Sequence, residues 1–180
     1  SLFYQVSNNR VQAFNLKSEG YRMPTEAEWS WAARSYSKKD RFLIFPWGDT
    51  MPVLKNTGNF ADESAKGSSS SYIANYNDGF TSLAPVGSFP PNDKGIYDLG
   101  GNVSEFVNDF YSIMLNSSVI QKDLTGPSTG RSHVVKDSNW NSANITELRY
   151  SYRNDSTLGD NKTGFRIARW LIGKDDAAEL

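Results

Sequence analysis

Asp98, Asn102 and Glu105 crowd into one short run, Gly95-Ile-Tyr-Asp-Leu-Gly-Gly-Asn-Val-Ser-Glu-Phe-Val-Asn-Asp109. Between them, Gly100 and Gly101 allow backbone conformations closed to other residues, so main-chain oxygens can turn toward one point. A carboxylate before such a turn and another after it is how a chain wraps a hard cation. Calcium in particular takes carboxylate and carbonyl oxygens together. The same run carries Ile96, Leu99, Val103, Phe106 and Val107. On spacing alone, a polar turn between two core segments is the plainer explanation, because short motifs match by accident.

Other chemistries are excluded by composition. The chain has no cysteine, which removes disulfides, thiolate metal sites and cysteine nucleophiles together and leaves the redox compartment open. It has a single histidine, His133, whereas a mononuclear iron or catalytic zinc site needs two or three imidazoles. Net charge is −1 and no basic stripe stands out, so nucleic acid is not an expected partner. No apolar run is long enough to span a bilayer, and no signal peptide or lipidation motif is visible. With 180 residues, 38% of them hydrophobic, the chain can bury one core. Ser1-Leu2-Phe3-Tyr4 reads as the middle of a longer protein.

The elements that must position these residues are short. Val11 to Gly20 reads as the end of a helix. Pro24 and Thr25 start another, with Thr25 and Glu28 at capping-box spacing and Trp29, Ala32 and Ala33 on one face. Glu26 and Glu28 then favour the helix dipole, a simpler role for them than catalysis. Phe42 to Phe45 is an apolar run closed by the turn Pro46-Trp47-Gly48-Asp49. Asn56 to Tyr76 lacks regular signals, Ser68 to Tyr72 is a flexible loop by composition, and the prolines of Ala84 to Asn92 keep it extended. Val103 to Tyr111 suits a strand or a short helix, with the strand preferred, and Arg131 to Val135, Glu147 to Arg153 and Gly164 to Leu171 read as strands. In the last, Phe165 and Ile167 are expected to face inward, and Arg166 and Arg169 fall on opposite faces. Ser112 to Asp123 and Asp137 to Asn144 are irregular. One domain over residues 1–173 and a polar tail over 174–180 are expected.

Six segments in order resemble the formylglycine-generating enzyme, or sulfatase-modifying factor, family. They are Tyr21-Arg-Met-Pro-Thr-Glu-Ala-Glu-Trp29 with Ala32-Ala33-Arg34, Pro46-Trp47-Gly48-Asp49, and Ala84-Pro-Val-Gly-Ser-Phe-Pro-Pro-Asn92. Then follow Gly95 to Glu105, Thr125-Gly-Pro127 and Gly164-Phe-Arg-Ile-Ala-Arg169. The resemblance implies an α+β fold, the family's variant of the C-type lectin fold, with short antiparallel strands, few helices and much irregular chain. It implies that the N-terminal part of the family domain is missing or only partly present. It also implies calcium, at two sets of oxygens. One set is the Asn59 side chain, the Phe60 carbonyl, the Asp78 carboxylate and the Phe80 carbonyl. The other is the Asp98 carboxylate, the Gly101 and Val103 carbonyls and the Glu105 carboxylate.

The chain departs from the family where the chemistry lies. The family enzyme oxidises a substrate cysteine with its own copper-binding cysteine pair, placed after an Arg-Gly-Gly-Ser-aromatic motif. Here the aligned stretch is Lys136-Asp-Ser-Asn-Trp140, and no thiol exists to hold soft copper(I). Formylglycine generation by this chain is therefore rejected. The leading expectation is a non-catalytic, calcium-stabilised pseudoenzyme module in a larger bacterial protein, placed in the cell envelope or periplasm. It would bind a protein, peptide or glycan through Trp140, Asn141, Asn144, Tyr150, Tyr152 and Arg153, a Tyr, Asn and Arg palette suited to adaptable recognition. The same residues could instead be a solvated loop with structural aromatics. A second expectation is the substrate-pocket domain of a non-haem iron oxidoreductase whose metal ligands lie on another domain. A third is a structural role in an envelope assembly. The sequons at Asn144 and Asn161 carry meaning only in a glycosylating host.

Overall fold

The computed structural model describes residues 3–8, 10–15, 18–36, 41–67, 69–113 and 124–170. The polar tail and most of Ser112 to Asp123 lie outside them. The first element is a hairpin of β1 (Tyr4–Ser7) and β2 (Arg10–Phe14). The helix end expected from Val11 onward is thus a strand. Asn8, at φ 52°, supplies the left-handed turn that lets the two strands meet, a conformation Asn tolerates and a helix cannot contain.

Helix α1 (Glu26–Arg34) begins as its sequence dictates. The Thr25 amide donates to Glu28 Oε2 at 2.8 Å, and the Glu28 amide donates to Thr25 Oγ1 at 3.1 Å. This reciprocal pair satisfies two of the orphan donors at a helix start. Glu28 is also gripped by both Arg22 guanidinium nitrogens at 2.6 and 2.7 Å. Trp29 and Ala33 are buried, and Ala32 is partly so. A two-residue antiparallel pair, β3 (Ser35–Tyr36) with β4 (Arg41–Phe42), follows the helix.

The main sheet is built from β5 (Ser104–Phe110), β6 (His133–Lys136), β7 (Arg153–Ser156) and β8 (Thr163–Phe165). Their order is β7-β6-β5-β8, antiparallel except for the parallel pair of β5 and β8. The strand expected over Val103 to Tyr111 is β5. The one expected over Glu147 to Arg153 is instead a run of turns. Leu148 and Tyr150 do alternate inward, but the Leu148 and Tyr152 amides bond back to Asn144 and Arg149 carbonyls, and pairing starts only at Arg153.

The last strand ends at Phe165, short of the expected Leu171, and the alternation that runs through and past it has the expected period and the opposite phase. Phe165 and Ile167 are 68% and 62% exposed. Gly164 lies against the Val103 side chain and Arg166 reaches inward to Glu105. A one-residue phase error exchanges every side chain between faces, and alternation alone fixes only the period.

Two clusters make the core. Trp29, Ala33, Leu99, Val107, Val134 and Tyr150 lie between helix and sheet. Phe45, Val53, Phe60, Tyr76 and Leu148 come almost wholly from irregular chain. Loops can be buried only if their polar groups find partners. The Tyr76 hydroxyl donates to the Gly58 carbonyl at 2.6 Å, and Asp62 caps a short 3₁₀ turn, Glu63–Ala65, through the Ser64 amide. Among the described residues no helix is long and apolar enough to cross a membrane.

Candidate functional site

The two glycines of the acceptor-rich loop serve different ends. Gly100 lies under Pro46, where a Cβ would come within 2.5 Å of the proline ring. Gly101, at φ 83°, faces the Asn59 carbonyl, which a Cβ would meet at 2.3 Å. That approach lets the Asn102 amide donate to the Asn59 carbonyl at 2.8 Å. The Asn102 side chain then ties three loops: its Oδ1 accepts from Asn59 Nδ2 at 3.0 Å and from the Ala84 amide at 2.9 Å.

Glu105 is 4% exposed at the start of β5, and its oxygens are already engaged. Arg166 Nε donates to Oε2 and Nη2 to Oε1, both at 2.6 Å, and Trp29 Nε1 donates to Oε2 at 2.7 Å. Arg166 Nη2 also donates to the Asp98 carbonyl at 2.9 Å. The Asp98 carboxylate turns to the Gly87 amide at 2.7 Å. A carboxylate offers about four lone-pair positions, so a guanidinium and an indole leave Glu105 little for a metal. The Asp98, Gly101, Val103 and Glu105 set, as arranged here, fits an arginine clasp and does not fit calcium.

The other set fits a hard cation. The Asp78 carboxylate accepts from the Phe60 and Phe80 amides at 2.8 and 2.9 Å, which brings Asn59, Phe60, Asp78 and Phe80 together. Asn59 is fully buried, and its Oδ1 has no hydrogen-bond partner. The Phe80 carbonyl is partly used, accepting from Ser64 Oγ at 2.8 Å. Sequence reading misses one neighbour, the fully buried Asp62, whose Oδ2 accepts the Asp78 amide at 2.5 Å. Burial pushes Asp78 up to about 6, the two amides pull it down, and the adjacent Asp62 charge adds to the rise. Among the described residues no three His, Asp or Glu side chains converge on one point. A cation here would lean on amide and main-chain oxygens, which calcium accepts.

The six residues expected to form a ligand surface divide. Tyr150 is 3% exposed and packs edge-on to Trp29, so it is core. Arg153 is spent on Glu26 through two 2.8 Å bonds and lies over the Tyr111 ring. Both corrections have one cause: their partners, Trp29 and Glu26 on α1 and Tyr111 just past β5, are remote in sequence. Trp140 is half-buried and donates from Nε1 to the Asn161 carbonyl at 3.3 Å. Asn144 is exposed and closes its own turn onto the Thr146 amide. Asn141 and Tyr152 do line a cavity of about 290 Å³. Sequence reading misses its other walls, chiefly Asp137, Asn139, Ser142 and Glu147. The density of Asn, Ser and Asp over 137–144 is the signal that could have found the first three.

Asp137 sits at the inner wall, 3% exposed. Its Oδ1 accepts from the Ser138 amide and hydroxyl at 2.7 and 3.2 Å, and its Oδ2 has no hydrogen-bond partner. Burial pushes its carboxyl up to about 8, the Glu105 charge adds, and the nearby Ser138 and Gly101 amides offset part of the rise. Behind the cavity a charged cluster fixes the sheet to the helix. Glu26 meets Lys136 Nζ at 3.5 Å as well as Arg153, and its amide donates to Asp109 Oδ2 at 2.8 Å. Glu26 is thus a half-buried ion-pair partner more than a dipole contact. His133 stacks on Phe110, its Nδ1 3.2 Å from the Asn108 carbonyl.

These features define an α+β domain whose irregular loops are stapled by buried polar groups and frame a polar cavity. Residues 3–171 match the sulfatase-modifying factor enzyme 1-like domain. The chain is 33% identical over 156 residues to a formylglycine-generating enzyme of Thermomonospora curvata, covering 83% of this chain and 49% of that protein. It is 39% identical over 107 residues to the inactive Cα-formylglycine-generating enzyme 2 of Bos taurus, covering 59% and 32%. In structure it resembles Treponema denticola variable protein 1, with a TM-score of 0.64, 25% identity, and coverage of 87% of this chain and 50% of the other. The chain belongs to the sulfatase-modifying factor, or formylglycine-generating enzyme, family and has that family's variant of the C-type lectin fold. It is a member without the catalytic cysteines. It spans about half the length of the bacterial relative and about a third of the bovine one.

Proposed function

We propose that this chain is a non-catalytic, calcium-stabilised binding module acting within a larger bacterial protein, with its ligand site in the cavity beside Asn141 and Tyr152. The observation that carries the reading is that cavity's composition: it is lined by amides, hydroxyls and carboxylates, in a chain that lacks the thiols of its family's chemistry. Similarity to an inactive relative supports it. Calcium is assigned to Asn59, Phe60, Asp78 and Phe80, with Asp62 beside them. Its role there would be structural: to join a buried amide oxygen, two carbonyls and a carboxylate drawn from separate loops.

Two measurements test this. Wild-type chain and a Tyr152→Ala variant are applied to a mixed peptide and glycan array. Retention of a ligand by the wild type, lost in the variant, is the expected result. Turnover of a peptidyl cysteine by the purified chain would overturn the non-catalytic reading. Thermal melting with calcium and with excess chelator tests the metal. An ion bound only to the folded state at a hundredfold its Kd adds about 2.7 kcal/mol. For a chain of this size that is a shift of roughly 5–10 °C. Coincident melting curves would remove calcium from the account.

A further inference from the structure

The cavity beside Tyr152 carries more information than its polarity. Its lining includes four carboxylates, Asp137, Glu147, Asp155 and Asp160, against one cation, Lys162. Two of the four are occupied. Asp155 accepts from Ser132 Oγ, and Asp160 closes a local turn on the Lys162 amide and Thr163 hydroxyl. The other two are not. The Glu147 amide donates to the Asn144 carbonyl at 2.9 Å, but its carboxylate has no hydrogen-bond or ion-pair partner among the described residues, and it stands half-buried at the rim. Asp137 is 3% exposed on the inner wall with an unpartnered Oδ2. Arg166 is the nearby cation that could have served it, but both ends of that guanidinium are committed to Glu105 and to the Tyr97 and Asp98 carbonyls.

A buried carboxylate oxygen without a donor is costly, and an ionised donor is its strongest partner. The acids do not gather at one point: among the described residues no three of them converge. The acceptors are spread along the cavity, as a group with several N–H donors requires. The volume, about 290 Å³, lies at the small end of organic ligand sites, room for one side-chain head and not for a folded segment.

We propose that this cavity binds an organic cation, the ammonium or guanidinium head of a basic side chain or small amine, between the unpartnered Asp137 oxygen and Glu147. This rests on the binding-module reading and names the ligand class for the same site. The Tyr152 ring, half-buried in the wall, offers its face or hydroxyl to the same head.

The test is calorimetric titration of the wild-type chain in constant calcium. The cationic probes are Nα-acetyl-lysine methylamide, Nα-acetyl-arginine methylamide and spermidine. Nα-acetyl-norleucine methylamide, N-acetylglucosamine and Nα-acetyl-glutamate methylamide serve as neutral and anionic probes. Saturable binding of at least one cationic probe is expected, with the uncharged and anionic probes at least tenfold weaker. Tighter binding of the amino-acid amides assigns the cation to a peptide, and tighter spermidine binding to a free amine. Glu147→Gln, a rim change that should leave the melting temperature in place, is expected to weaken the cation about tenfold. Asp137→Asn should weaken it further where the variant folds. Equal affinity for norleucine and lysine probes, or no loss in Glu147→Gln, overturns the proposal. So does failure of every cationic probe at millimolar concentration. Binding of the sugar or the glutamate probe alone, abolished by Tyr152→Ala, would overturn the cation and leave the binding module standing.

Discussion

Asp109 provides a quantitative test of how charge is buried in this scaffold. The residue is 3% exposed on β5, and the charges pressing on it are the carboxylates of Glu26 and Glu28. Burial pushes it from 3.8 to about 6, the Glu26 amide draws it down, and those neighbouring charges push it up again. The folded state therefore holds this proton more tightly than the unfolded chain does. Above pH 6 Asp109 is ionised in both states and the folded one bears the full cost. As pH falls from 6 toward 4 the folded state takes up its proton first, and the cost disappears. A shift of this size corresponds to at most about 3 kcal/mol. The high effective dielectric found even at buried protein sites brings that to about 1–2 kcal/mol. Asp109→Asn keeps an acceptor for the Glu26 amide and removes the charge. Its NH₂ group adds a cost that does not vary with pH, so the informative quantity is the change in relative stability across pH. Melting of variant and wild type from pH 4.5 to 7.5 should show the variant gaining roughly 3–6 °C on the wild type over that range. A difference that stays flat, or one that favours the wild type as pH rises, would refute the burial argument.

Other perturbations read other joints. Glu105→Gln or Arg166→Met strands one member of a buried pair and should each cost about 3–5 kcal/mol by denaturant melting, with the double variant costing less than their sum. If calcium and not Arg166 holds Glu105, Glu105→Gln will instead lose most of its effect in excess chelator. Gly101→Ala would set a Cβ 2.3 Å from the Asn59 carbonyl in a left-handed backbone, so it should lower stability by more than about 1 kcal/mol and weaken calcium binding measured by titration. Leu148→Ala, at a fully buried position in the loop-built cluster, should cost about 2–5 kcal/mol in the same melts.

The parts of this fold that can be read from sequence are those fixed by near neighbours. Thr25 and Glu28 lie three residues apart and cap a helix without outside help, so α1 starts where the sequence puts it. β5 follows from its own residues. What escapes is set by partners far along the chain. Arg153 reads as a surface residue until Glu26, 127 positions away, is seen to take its guanidinium. Glu105 reads as a metal ligand until Arg166, 61 positions on, is found on both its oxygens. In β8 and the residues just after it, alternation gives a period but not a phase, and the phase is decided by Gly164 fitting against Val103 and Arg166 reaching Glu105. The β1–β2 hairpin is missed for a smaller reason. One left-handed Asn8 turns the chain back, and no Gly marks the place.

The same distinction separates framework from site. Buried and half-buried polar side chains here close on one another: Asn102 on Asn59 and Ala84, Glu28 on Arg22 and Thr25, Glu26 on Arg153 and Lys136. Satisfied groups of that kind rigidify loops that have no regular structure to hold them. Among the described residues, the buried side-chain oxygens without a partner are Asn59 Oδ1 and Asp137 Oδ2. A native fold rarely leaves such an oxygen unbonded without a functional reason. Asn59 Oδ1 belongs to the oxygen set that fits a hard cation. Asp137, which carries the other, lines an acid-rich cavity. The two differ in what they ask for, a small ion among carbonyls in one case and an extended N–H donor among separated acids in the other. A ligand that stabilised the fold identically in Asn59→Ala and wild-type chains, and was lost in Glu147→Gln, would show that the second demand is met independently of the first.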